Sequence, residues 1–195
     1  ALTGGLIYFP RKISNATMST FRPEETTPKF TQEGFSAGAS DRLILSAHAV
    51  LESTLAVRIF EVDEKTKGGL PMVYAPQTQS GNFFSQQERN VRSVQAVEAL
   101  SYSKNHWAGE HLFKVGMDLQ HSSFDGTSSS QEVDVIRLDG SLAERTTYSP
   151  LIAHPDVTGT EFAVFAQDRW RLNDRVTFEL GFRVEAPPED RMLNP

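Results

Sequence analysis

Val176-Thr177-Phe178-Glu179-Leu180-Gly181-Phe182-Arg183-Val184 decides the fold of this chain. Val176, Phe178, Leu180, Phe182 and Val184 alternate with Thr177, Glu179, Gly181 and Arg183, the period of two that gives a β-strand one apolar and one polar face. The preceding segment, Thr160 to Arg171, repeats the pattern with Phe162, Val164 and Ala166 on one face. The polar connector Leu172-Asn173-Asp174-Arg175 between them makes the pair an antiparallel hairpin.

Two registers fit that connector. A two-residue turn at Asn173-Asp174 sets Asp168 opposite Glu179, a like-charge pair. A three-residue loop, Asn173 to Arg175, sets Arg169 opposite Glu179 and Trp170 opposite Phe178. Cross-strand charge pairs are worth roughly 0.2–1 kcal/mol with either sign, so the second register is expected. It gathers Phe162, Val164, Ala166, Trp170, Phe178, Leu180 and Phe182 on one face, with Trp170 near the turn. Asp168 shares that face, which is tolerable only close to a membrane interface.

Upstream, the same alternation marks further strands. Leu112 to Phe124 sets Phe113, Val115, Met117 and Leu119 against Lys114, Gly116, Asp118 and Gln120. Arg92 to Tyr102 sets Val94, Ala96, Leu100 and Tyr102 against Ser93, Gln95 and Ser101. Leu43 to Val62 reads as one long strand or two, and Thr3 to Phe9 and Lys29 to Ala39 as weaker ones.

Connector lengths then alternate. Residues 10–28, 63–90 and 125–159 are long; residues 40–42, 104–109 and 172–175 are short. Long outer loops and short periplasmic turns are the layout of an outer-membrane β-barrel, and strands of about 10–14 residues suit a tilted crossing of the bilayer. Loop 63–90 is rich in Gly and Pro (Gly68, Gly69, Pro71, Pro76, Gly81). Loop 125–159 contains a hairpin from Val133 to Leu138, then Ser141 onward, turning at Asp139-Gly140. The fold expected is all-β: an antiparallel up-and-down meander of about seven strands, a partial segment of a large transmembrane barrel spanning residues 1–195.

Composition narrows the function. The 195 residues are 38% hydrophobic with 13 Gly, too apolar for a disordered tail. No run approaches the ~20 apolar residues of a spanning helix, and the mean hydropathy is -0.37. The absence of Cys excludes disulfides, thiolate metal sites and a thiol nucleophile. A net charge of -6 argues against a nucleic-acid surface. Ala1 opens directly into Leu-Thr-Gly-Gly, and Arg11 and Lys12 follow the first apolar stretch, so the opening does not read as a signal peptide.

Candidates for chemistry are weak. His48, His106, His111, His121 and His154 fall on separate strands or loops, except His111 and His121, which lie ~30 Å apart along one strand. No metal site is expected. No Gly-x-Ser-x-Gly elbow exists, so no catalytic residue and no cofactor are expected either. Asp125-Gly126-Thr127 and Asp139-Gly140 read as turns, not calcium loops. Pro187-Pro188-Glu189-Asp190 reads as the start of a further outer loop, and Asn15-Ala16-Thr17 fits a glycosylation sequon, which means little if the source is bacterial.

The stretch Gly159-Thr160-Glu161-Phe162-Ala163-Val164-Phe165-Ala166-Gln167-Asp168-Arg169-Trp170, followed by Val176 to Arg183, resembles the F-x-Q-D-x-W … L-x-L-x-x-G-x-R hairpin of TonB-dependent outer-membrane receptors. Gly81-Asn82-Phe83-Phe84 with Gln86, Gln87 and Arg89, and Gly109-Glu110-His111-Leu112-Phe113-Lys114-Val115-Gly116 with Ser122-Ser123-Phe124-Asp125-Gly126, resemble one subfamily. Its members carry a carboxypeptidase-regulatory-like domain before the plug. The resemblance implies a 22-stranded barrel around an N-terminal plug, driven by TonB and importing a bulky nutrient. The plug and the remaining strands are absent from this stretch.

These readings imply that Lys114, Asp118, Gln120, Gln167, Arg169, Glu179 and Arg183 line the lumen. Phe113, Val115, Met117, Leu119, Phe162, Val164, Trp170, Phe178, Leu180 and Phe182 meet lipid or form the aromatic girdle. The implied partners are outer-membrane lipid, the protein's own plug, TonB and a small-molecule or oligosaccharide ligand. Alternation alone leaves a second architecture open, a soluble or surface-exposed β-sandwich that binds or adheres, and an ungated porin is a third reading.

Overall fold

The computed structural model describes residues 1–105, 108–149, 152–186 and 191–192. The chain forms β1 (Leu2–Tyr8), β2 (Arg11–Ile13), a 3-10 turn (Glu24–Thr26), β3 (Lys29–Ser46), β4 (Ala49–Lys65), β5 (Met72–Tyr74), β6 (Gln79–Ser80) and β7 (Ser85–Lys104). It continues as β8 (Glu110–Ser130), β9 (Val133–Ile136), β10 (Leu142–Thr146), β11 (Asp156–Asn173), β12 (Val176–Ala186) and β13 (Arg191–Met192).

One nine-stranded sheet follows the order β1-β3-β4-β7-β8-β11-β12, with β2 paired to β3 and β13 to β11. Every pairing in it is antiparallel. The main strands pair in chain order, β3–β4, β7–β8 and β11–β12 through short turns and the other neighbours across the long connectors.

The main strands are longer than the alternation alone marked. β7 has 20 residues and β8 has 21, against the 10–14 expected. Their outer ends, Ser85 to Val91 and Asp125 to Ser130, are too polar to register as half-buried strand, yet they pair without a break from Ser85↔Ser130 to Lys104↔His111.

One turn lies elsewhere than expected. Ser40-Asp41-Arg42 is not a connector: β3 runs straight through it, and Arg42 faces Glu52 across the ladder with Nε 3.5 Å from Oε1. The chain reverses at Ala47-His48, after a bulge between Ile44 and Ser46. Leu43 to Val62 is therefore two strands. Ala-His carries none of the usual turn chemistry, whereas Ser-Asp does, and that misdirected the sequence reading.

In the last hairpin Arg169 pairs with Glu179 and Trp170 with Phe178, the register chosen on charge. The loop differs from the expected three residues. The turn is Asp174-Arg175, and a bulge at Leu172 absorbs the extra residue. Asn173 Oδ1 accepts hydrogen bonds from the backbone N–H of Arg175 at 2.9 Å and of Val176 at 3.0 Å, closing the turn. The β9–β10 hairpin is present too, with the three-residue loop Leu138-Asp139-Gly140 and Gly140 at φ +80°.

Among the described residues no second layer covers the main sheet. Among the described residues the buried hydrophobics are Met72, Ala99, Val133 and Ala163, while Leu180, Phe182 and Val184 are each about 60% exposed. A soluble sandwich would bury this face against another sheet. The described residues supply no such sheet.

Candidate functional site

The register sorts the sheet into two faces. Lys114, Asp118 and Gln120 on β8, Gln167 and Arg169 on β11, and Glu179 and Arg183 on β12 all project to one side. Phe113, Val115, Met117, Leu119, Phe162, Val164, Trp170, Phe178, Leu180 and Phe182 project to the other. The structure thus groups each set as a face.

The polar face carries charges paired across strands. Asp118 accepts from Gln95 Nε2 at 3.0 Å and from Arg183 Nη2 at 3.4 Å. Arg169 Nε lies 3.6 Å from Glu179 Oε1, Lys114 Nζ 3.9 Å from Glu52 Oε2, and Arg171 Nη1 3.4 Å from Glu110 Oε2. Pairing of this kind lets a strand present charge every second residue without cross-strand repulsion. Gly116 makes room on this side: a Cβ there would meet the Phe165 ring and the Glu98 carbonyl.

The apolar face ends near the short turns in an aromatic cluster. The His111 ring stacks on Phe113 (centroids 5.3 Å apart, planes 5° apart) and on Trp170 (5.4 Å, 11°), and Trp170 packs against Phe178 at 5.5 Å. Trp170 Nε1 donates to the Ala108 carbonyl at 2.9 Å. Asp168 does not stand alone on this face, because its Oδ2 lies 2.8 Å from His111 Nδ1. Sequence reasoning weighed His111 as a metal ligand and missed the pair.

At the far end, the long connectors fold together. β5, β6, β9 and β10 form a second sheet in the order β10-β9-β5-β6, in which β5 and β9 run parallel with Met72 opposite Val133. The Lys67 side chain is 15% exposed, and its ammonium reaches into the first long connector. It donates to the Glu24 carbonyl at 2.7 Å, to Thr27 Oγ1 at 3.3 Å and to Asn15 Oδ1. Asn82 Oδ1 accepts from Leu70 N–H at 3.0 Å, and its Nδ2 donates to the Glu25 carbonyl at 3.2 Å. The three connectors therefore make one body. Sequence reading treated them as separate loops.

Charge stiffens this body. Arg145 donates to both Asp134 oxygens, Nε to Oδ1 at 2.7 Å and Nη2 to Oδ2 at 2.8 Å, and the bond holds the Asp134 carboxyl below its ordinary range. Hydrogen bonds from Ser141 do the same for Asp139 in the hairpin loop. No group of three or more metal-ligating side chains comes together among the described residues. His106 and the segment Pro187 to Asp190 lie outside the described residues.

The chain belongs to the TonB-dependent-receptor-like β-barrel family, whose family model matches residues 8–186. It is similar in fold to the outer membrane transporter YddB from Escherichia coli, with a TM-score of 0.64 at 14% identity. That match covers 94% of this chain and 25% of the transporter, so the chain spans about a quarter of its length. No curated protein matches it. The family model describes the barrel of TonB-dependent receptors.

Proposed function

We propose that this chain is a stretch of barrel wall from a TonB-dependent receptor of the bacterial outer membrane, taking part in energised uptake of a bulky nutrient. The apolar face meets lipid. The polar face lines the lumen and meets the receptor's own plug, which TonB displaces. The three joined connectors stand outside the cell, and the turns at Ala47-His48 and Asp174-Arg175 lie in the periplasm. The motifs at Gly81 and Gly109 favour the subfamily with a carboxypeptidase-regulatory-like domain ahead of the plug.

The observation that carries this reading is a single sheet with one face left apolar and uncovered and the other covered with paired charges. Such a sheet is stable only where hydrocarbon takes the place of a second layer. This stretch contains no Cys, so labelling of an introduced cysteine is read against the unmodified receptor. In the full-length receptor, Leu138→Cys (Leu138 is 78% exposed at the hairpin tip) should react with a membrane-impermeant maleimide on whole cells, and Asp174→Cys should not. The reverse pattern would invert the topology. Equal labelling of both on intact cells would remove the barrel reading.

A further inference from the structure

The sidedness of the sheet reverses toward its outer end. One cross-strand row on the face that carries the paired charges reads Gly34, Phe60, Val91, Phe124 and Val157, each opposite the next. The Phe9 ring folds over Gly34, where a Cβ would collide with it, and packs against Phe60 with centroids 6.4 Å apart. The result is an apolar belt across five strands, with Phe9 44%, Phe60 36% and Val91 37% exposed. The next row out, on the opposite face, is Glu33, Glu61, Asn90, Asp125 and Asp156, which no lipid tail would cover.

Height explains the reversal. Val91 lies 13 residues along β7 from Lys104. At ~3.3 Å per residue and a ~40° tilt that is roughly 33 Å above the turn, beyond the ~25 Å apolar band of such barrels. On the reading above, the belt faces the mouth of the lumen just under the joined outer connectors.

Charge selects what fits it. Arg58 projects to the belt side two residues inward of Phe60, between the uncharged Ser36 and Ser93. It makes no hydrogen bond or ion pair to any described residue, whereas Lys114, Arg169, Arg171 and Arg183 on the same face are all paired. Arg11, across from Gln32 on the outer side of the belt, is likewise unpaired among the described residues. On this face Asp118 is met by Gln95 and Arg183, and Glu64, beyond Val62, interacts with Arg89. We propose that this belt and Arg58 form a binding surface for a solute with an aromatic or aliphatic body and one anionic group, such as a carboxylate. The proposal rests on the barrel reading, since it requires this face to be the lumen.

Equilibrium dialysis of the full-length receptor in detergent, corrected against empty micelles, tests it with two probes, naphthalene-2-carboxylate and its neutral analogue naphthalene-2-carboxamide. The carboxylate should bind roughly tenfold more tightly, the scale of one charge-assisted hydrogen bond. Arg58→Gln should erase that preference. Phe60→Ser and Val91→Asn should weaken both probes about fivefold or more while leaving the preference in place. Retention of the heat-modifiable gel shift shows that each variant has folded. No binding to the unmodified receptor, no preference for the anion, or unchanged affinities in folded variants would overturn the proposal. Labelling at Leu138→Cys separates the two claims. If it reacts outside the cell and dialysis fails, only the belt is wrong; if it does not react, the barrel reading falls first.

Discussion

The Asp168 carboxylate meets His111 Nδ1 at 2.8 Å on the apolar face of the sheet, with the imidazole held flat between Phe113 and Trp170. Asp168 Oδ1 is buried with no hydrogen-bond partner among the described residues, so the carboxylate depends on His111. Removing the ring by His111→Leu should cost about 1–3 kcal/mol, the scale of stranding a partly buried polar group. The double change His111→Leu with Asp168→Leu should recover most of that loss. Urea midpoints of the refolded full-length receptor measure both, and equal losses in the single and double variants would refute the dependence.

Neighbouring residues on β8 should respond in opposite ways. Met117 is 49% exposed on the apolar face, and Met117→Arg near mid-strand should impair assembly by roughly 2–4 kcal/mol. Asp118→Asn, on the polar face, keeps an acceptor for Gln95 and should be mild. Yield of heat-modifiable barrel reads the contrast; comparable yields would mean that the faces are assigned wrongly.

The pair Arg169–Glu179 is structural, with a small energy. Its side chains are 62% and 63% exposed, so solvent screening keeps the coupling below ~1 kcal/mol. Glu179→Arg should weaken folding slightly, and adding Arg169→Glu should restore part of it. A double-mutant cycle with no coupling would sink the pairing. Loss of uptake with Glu179→Gln at unchanged heat stability would move the residue into transport.

The outer sheet should open in acid. Asp134 is held below the ordinary carboxylate range by its bond to Arg145, so the folded state binds the proton less readily than the unfolded one. Its contribution is complete above the ordinary range and lost as pH falls through the lowered value. Hydrogen-exchange protection of the β9 and β10 amides should hold at pH 5 and fail once the pH has fallen below the ordinary carboxylate range. Arg145→Gln should abolish that dependence. Protection indifferent to pH in both proteins would contradict it.

What the sequence revealed tracks how local the deciding interaction is. The register of the last hairpin was readable because Asp168 opposite Glu179 is a penalty written within twelve residues. The bulge at Leu172 that delivers the register was not, since the alternative loop gives the same partners. The turn at Ala47-His48 lacked turn residues, and Asp41, on the apolar face, imitated one; its carboxylate is met by the Ala1 ammonium at 3.3 Å. The His111–Asp168 pair spans 57 positions and the Lys67 contacts span 40 to 52. No periodicity reports on partners so distant.

The parallel ladder between β5 and β9 sets an order of events. Met72 and Val133 sit opposite each other, though the whole of β7 and β8 lies between them in the chain. The hairpins β3–β4, β7–β8 and β11–β12 can each form locally through a short turn. The ladder has no such route: its loop-closure entropy is large until β7 and β8 have paired and brought its two ends together. Maturation therefore finishes at the outer surface, and a wall already inserted would pass through a stage with its strands paired and its connectors still loose. A surface probe that recognises only the joined connectors would register that last step separately from insertion, as a slow phase with its own rate.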